Sequence, residues 1–268
     1  HTTVLHACRR ELQARDLDEL EQLAAALADA RCQLQADLER AYYAEATHDY
    51  AAARRAAEQA IAAAQAAGDA EGEMAARVQL AWVFYRQAEY AAALEQAQQV
   101  LTVARASGSR PMQAESLRLI GLCHQEKGAL TQGRSFLEQA LPIYRELGDR
   151  RGEGKVASNL AVNLRGENRF AEARQWYDTA LARMREVGDR RNEAMILNNL
   201  GVLAISIGDV AAGRDSYEQS AVIAREVGER MSLGAAWVNL STICRMQEDY
   251  AQALTDAQQA LEVFEAIG

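Results

Sequence analysis

Asn159, Asn199 and Asn239 stand 40 residues apart, each in a stretch whose apolar residues recur at helical spacing. Asparagine is a mediocre helix former, so propensity does not account for an in-phase run of it on one helical face. Its carboxamide carries N–H donors and an acceptor oxygen, the groups needed to hold the backbone of an extended peptide whatever its side chains. Counting 100° per residue, Leu197, Leu200, Gly201 and Ala204 mark a buried side, and Met195, Asn199, Val202 and Ser206 point the other way. A shift of 40 gives Lys155, Asn159, Val162 and Gly166, then Ala235, Asn239, Thr242 and Met246. Arg118, Lys155, Arg165 and Arg245 project from the edges of this face. Tyr42, Trp82, Tyr85, Leu119 and Leu122 are the apolar anchors expected nearer the N-terminus, among Glu39, Glu45, Glu115 and Glu126. The field along the face runs from acidic to basic.

Other chemistries find no support in the residues. His1, His6, His48 and His124 form no Ser/His/Asp or Cys/His arrangement, HExxH is absent, and no Gly-rich loop follows a strand. Cys8, Cys32, Cys123 and Cys244 are scattered without CxxC or Cys/His spacing, so reduced thiols are expected, with no metal and no cofactor. No enzyme is read here. A formal charge of −9 disfavours nucleic acid, because it repels a phosphate backbone. No apolar run of membrane-spanning length and no signal-peptide pattern is present, so a soluble, cytoplasmic protein with no membrane partner is expected.

The elements that position the asparagines follow from a repeat. Gly68, Gly108, Gly148, Gly188, Gly228 and Gly268 are spaced by 40, and the phrase "RELGDRRGEGKVASNLA" returns as "REVGDRRNEAMILNNLG" and "REVGERMSLGAAWVNLS". Each glycine ends a helical pattern such as Phe170, Ala173, Tyr177, Ala180, Leu181, Met184 and Val187, and so reads as a helix stop. A second mark falls at 48, 88, 128, 168, 208 and 248, where Gly128, Asn168 and Gly208 suit a turn. Each unit is therefore helix, short turn, longer helix. Small residues hold two columns, Ala41, Ala81, Gly121, Ala161, Gly201 and Ser241 in the first helix, and Ala53, Ala93, Gly133, Ala173, Gly213 and Ala253 in the second, as close helix approach demands. Arg110, Arg150, Arg190 and Arg230 open successive first helices and are expected to pair with Glu146, Glu186 and Glu226.

Gly121, Gly133, Leu137 and Ala140, like Ala161, Ala173, Tyr177 and Ala180, carry a pattern that resembles the tetratricopeptide repeat. The period of 40 in place of the commoner 34 resembles the longer-helix subclass with GDR linkers, found in bacterial signal-sensing regulators, CHAT proteases and polarity adaptors. The resemblance implies an all-α, right-handed superhelical solenoid of antiparallel helix hairpins, in which the asparagine face lines the concave groove. Six repeats are read over 34–268, about 34–70, 71–110, 111–150, 151–190, 191–230 and 231–268. Residues 1–33 are read as a helical flank or degenerate repeat, with helices at about 2–14 and 17–30, the latter capped by Asp16.

The expected role is a protein-interaction scaffold that binds a peptide or protein segment, such as one with acidic groups, in the groove. The alternative is the ligand- or partner-sensing arm of a multidomain bacterial regulator, such as a signal-transduction ATPase, transcription regulator or protease. The last repeat stops on Gly268 with no polar closing helix, so an excerpt of a longer chain and self-association through the C-terminal repeat are expected.

Overall fold

A computed structural model of the chain describes residues 15–20, 22–24 and 30–266. From Ala30 onward these form twelve helices: α1 (Ala30–Ala46), α2 (Tyr50–Ala67), α3 (Ala70–Arg86), α4 (Tyr90–Ser107), α5 (Arg110–Glu126), α6 (Leu130–Glu146), α7 (Arg150–Gly166), α8 (Phe170–Glu186), α9 (Arg190–Ser206), α10 (Val210–Val227), α11 (Arg230–Met246) and α12 (Tyr250–Glu265). No strand occurs among the described residues. The expected helix at 2–14 and the sixth glycine, Gly268, lie outside them. Asp16 is no cap: the helical stretch there already includes Arg15.

Two residues do the punctuating at four of the five boundaries from Gly68 to Gly228; at the other, Ser109 makes no side-chain cap. Gly148 and Gly188 sit at φ of 68° and 67°, and Gly68, Gly108 and Gly228 are likewise positive, a conformation in which a Cβ is costly. The next residue turns the stop into a start. Asp149 N donates to Tyr144 O, closing the old helix, while its carboxylate accepts from Gly152 N at 2.8 Å, capping the new one. Asp189 does the same with Met184 O and Asn192 N, and Asp69 with Ala64 O and Gly72 N. The second mark is just as regular and less obvious from residue type. His48, Ala88, Gly128, Asn168, Gly208 and Glu248 all adopt positive φ, although three of them are neither Gly nor Asn.

The repeated phrase also places a carboxylate in the interior. Glu153 is 1% exposed and Glu193 3%. Arg145 and Arg150 reach Glu153 at 3.0 and 3.1 Å, with Arg183 at 3.0 Å, while Arg185 and Arg190 reach Glu193 at 2.8 and 2.7 Å. The arginines that open first helices pair with second-helix glutamates too, Arg150 with Glu186 and Arg190 with Glu226. The pairing runs to the glutamate 36 residues on, and Glu153 and Glu193 are the additional, buried partners.

The chain forms two compact units, 1–143 and 144–268. Consecutive helices from α1 to α5 pack in one and from α7 to α12 in the other, and first helices touch first helices: α1 with α3 and α3 with α5, then α7 with α9 and α9 with α11. Gly201 shows why the small column is needed: a Cβ there would lie 2.4 Å from the Tyr217 ring. Ser220, an apparent exception in an alanine column, is fully buried and satisfies its hydroxyl on Ala194 O at 2.7 Å. Cys123 and Cys244 are buried free thiols, Cys32 is half-buried, and Cys8 is outside the described residues.

Candidate peptide-binding face

In the unit 144–268 the expected groove residues come from α7, α9 and α11, aligned because those helices pack side by side. Asn159, Asn199 and Asn239 are all half-buried, as are Lys155, Val162, Val202 and Arg165, whereas Met195 and Arg245 are exposed. The three amides differ in what they meet. Asn239 Nδ2 donates to Asn198 Oδ1 at 3.0 Å, from α11 to α9. Asn199 makes no side-chain hydrogen bond to the described residues. Asn159 Nδ2 is shut off from solvent and meets no acceptor. Its backbone carbonyl accepts from Asn163 Nδ2 at 3.1 Å, so one amide is fed while the other is left open. A buried amide N–H without a partner costs about 1–3 kcal/mol.

Arg165 does not project as a free edge charge. Its guanidinium lies beside the buried hydroxyls of Tyr177 and Tyr217. Burial raises both phenols, Tyr217 to about 12, and the Arg165 charge opposes that rise. Neither Tyr177 Oη nor Arg165 Nε meets a hydrogen-bond partner.

In the unit 1–143 the anchors and charges have found one another. Trp82 Nε1 donates to Glu115 Oε1 at 2.9 Å, and Arg118 donates to both Glu115 oxygens at 3.1 and 2.6 Å. The Arg118 guanidinium stacks 4.6 Å from the Trp82 ring centre and Arg86 lies 5.9 Å away. Arg118, expected as an open basic edge, is thus 8% exposed, because ion pairing and stacking draw it inward. Leu119 and Leu122 are buried as well, at 0% and 7%, and serve the core. Tyr42 stays 48% exposed. Burial raises its phenol, and the nearby Glu115, Glu39 and Glu45 carboxylates add to that. Tyr85 donates to Glu126 at 3.1 Å, and Glu45 accepts from Gln79 at 2.7 Å and Arg86 at 3.3 Å.

Three amides escaped the sequence reading: Gln79, which shares the 40-residue register of the asparagine column, and Asn163 and Asn198 beside it. Register alone would have found Gln79. Asn163 is fully buried, and only packing identifies it.

No curated protein sequence matches the chain. Among solved structures it resembles the apo form of RapI with a TM-score of 0.76 and 13% identity, covering 98% of this chain and 95% of that one. It resembles the Rap conjugation gene regulator of plasmid pLS20 in complex with the Phr* peptide at 0.70 and 12%, covering 91% and 77%. A signal transduction ATPase with numerous domains and a tetratricopeptide repeat sensor, from Pyrococcus horikoshii, matches at 0.69 and 14%, covering 96% of this chain and 40% of that one. Identities this low speak for the fold alone. Family profiles described as tetratricopeptide repeat match residues 74–107, 112–186 and 192–266. Over most of its length, and in the helix pairs its glycines delimit, the chain belongs to the tetratricopeptide repeat family.

Proposed function

We propose that the chain is a non-catalytic interaction scaffold whose first-helix face in residues 144–268 grips the backbone of an extended protein segment through Asn159, Asn199 and Asn239. The observation that carries this reading is the in-register column of half-buried amides on packed first helices, with Asn199 making no side-chain hydrogen bond to the described residues. Val162, Val202 and Met195 supply apolar contact, and Lys155 and Arg245 favour a segment with carboxylates. In the other unit, Tyr42 with the Trp82–Arg118–Glu115 network is the matching contact surface. A relative in fold holding a peptide supports the choice of ligand class. The proposal includes the six-repeat division over 34–268, membership of the 40-residue subclass and a cytoplasmic setting; no helix among the described residues is long and apolar enough to cross a membrane.

The second reading, a sensor arm within a larger regulator, draws on the ATPase whose repeat sensor shares the fold. Selection from a display library of random 12-residue peptides separates the two. Recovery of a common carboxylate-bearing motif, lost when Asn159, Asn199 and Asn239 are all changed to Ala, supports the scaffold. No motif, or one indifferent to the triple variant, overturns it.

A further inference from the structure

The two helices of a pair meet where small residues stand. The first helix offers Ala114, Gly154, Ala194 and Gly234, and the second Ala60, Ala140, Ala180, Ser220 and Ala260. The approach is close: a Cβ on Gly154 would lie 2.7 Å from Met184 Cε and 3.5 Å from Ala180 O. The pair α1–α2 sets Leu34 against Ala60, so one partner is still small. Only α3–α4 opposes two bulky residues, Met74 and Val100, both buried in one cluster with Val78 and Ala104.

Two bulky groups at the closest point act as a wedge. Val103 is 46% exposed, while its counterparts Ile143 and Ile223 are 5% and 7% exposed. Between α3 and α4 lies a cavity of about 420 Å3, with Ala70, Met74, Val100 and Val103 as apolar wall and Glu73 and Arg77 at a polar end. That volume is in the range of small-molecule sites, ~300–1,000 Å3. Arg77 itself breaks the pattern, since Leu117, Ala157 and Leu197 fill its position with core.

The polar end is lopsided in what it has left to give. Arg77 spends its hydrogens on Glu73 Oε1, at 3.0 and 2.7 Å, and on Gln96 and Gln99 at 3.1 and 3.2 Å. Glu73 Oε1 takes Gln65 as well, at 2.9 Å, while Oε2 accepts from none of the described residues. Hydrogen bonds from Gln65 and Arg77 hold the Glu73 carboxyl below its ordinary range, so it is charged at neutral pH. The vacant capacity is an anion's lone pairs beside an apolar wall.

We infer that the α3–α4 cavity binds a small apolar amine, its hydrocarbon body against Met74, Val100 and Val103 and its ammonium on Glu73 Oε2. The site is separate from the asparagine face and stands or falls without it.

The test uses the whole chain with methyl-labelled methionine and follows the Met74 methyl resonance during titration with 2-phenylethylamine, toluene or phenylacetate. The amine should shift Met74 saturably, and phenylacetate should need at least tenfold more for the same response. Val103→Trp, a substitution at a half-open position, should fill the cavity and abolish the shift with helicity unchanged. Glu73→Gln should reduce the amine to the affinity of toluene. An unmoved Met74, equal binding of phenylacetate, or an amine response that survives both variants overturns the assignment.

Discussion

Arg185 donates from Nε to Glu193 Oε1 at 2.8 Å across the turn that Gly188 makes, so the end of α8 and the start of α9 are tied by a buried carboxylate as well as by backbone. Arg190 takes the other oxygen at 2.7 Å, and Arg145, Arg150 and Glu153 repeat the arrangement one unit earlier. Burial by itself would raise the Glu193 carboxyl, but the hydrogen bonds and charges of Arg185 and Arg190 outweigh it, and the net shift is downward. Glu153 behaves alike.

A depressed carboxyl contributes stability that is fully present above its unfolded pKa, near 4.5, and is lost as pH falls through the lower folded value. Glu193→Gln should therefore destabilise the unit by about 1.5–3 kcal/mol at pH 7, the range for hydrogen bonds to charged groups. Its urea midpoint should also change less than that of the parent chain between pH 5 and acid. Parallel pH profiles for variant and parent would show that the clamp contributes nothing.

Ala88, His48 and Glu248 hold positive φ at 60°, 64° and 63° without being glycine. A left-handed non-glycine residue costs roughly 1–2 kcal/mol, partly offset in a glycine variant by its freer unfolded chain. Ala88→Gly should raise stability by about 0.5–1 kcal/mol, read as a higher melting temperature, and Gly208→Ala, at φ 84°, should lower it. A lower melting temperature for Ala88→Gly, or a higher one for Gly208→Ala, would mean that the turn geometry at 88 and 208 differs from the one described.

For the amide column, Asn199→Ala should leave helicity intact and weaken binding of a selected peptide by about 1 kcal/mol, roughly fivefold, for one net hydrogen bond lost. Asn159→Ala should match it in binding and gain stability, since the unmet Nδ2 goes too. Asn239→Ala should lose stability slightly by stranding Asn198. Calorimetry that finds all three affinities unchanged would remove the column from the binding surface.

The helix stops were legible because glycine has one strong reason to recur in phase at 68, 108, 148, 188 and 228, and all five have the positive φ that reason requires. The matching turns at 48, 88 and 248 were not, since His, Ala and Glu carry no such signal and are held there by the helices on either side. Periodicity put Asn159, Asn199 and Asn239 in one register, yet it could not say that Asn239 is engaged while Asn159 Nδ2 meets no partner, because that depends on which side chains are within reach. Arg118 was misplaced for a similar cause: a helical wheel gives direction to within a residue, and Trp82 and Glu115 beside it decide whether the guanidinium turns outward or in.

The sharpest contrast between equivalent surfaces is on α12. The segment "ALTDAQQAL" at 253–261 nearly repeats "ALEQAQQVL" at 93–101. Leu101 is 6% exposed and Ala97 fully buried, in a helix that packs on α5. Leu261 is 56% exposed and Leu254 61%, with Tyr250 at 66% extending the stripe. Leu101 is thus dry where its counterpart Leu261 is wet, while Leu94, the counterpart of Leu254, is half-buried; at about 25 cal/mol per Å2 covering Leu254 and Leu261 would favour association by a few kcal/mol before the cost of ordering. The chain should accordingly show a weight-average mass that rises with concentration in sedimentation or light scattering. Leu254→Glu together with Leu261→Glu should return it to a monomer without changing its helicity, because both positions already face water. Hydrogen exchange gives an independent reading: amides of 251–265 should exchange faster than those of 171–186 in dilute solution and slow as association proceeds. A chain that stays monomeric at millimolar concentration, with α12 protected as strongly as α8, would show that this stripe tolerates water and attracts no second copy.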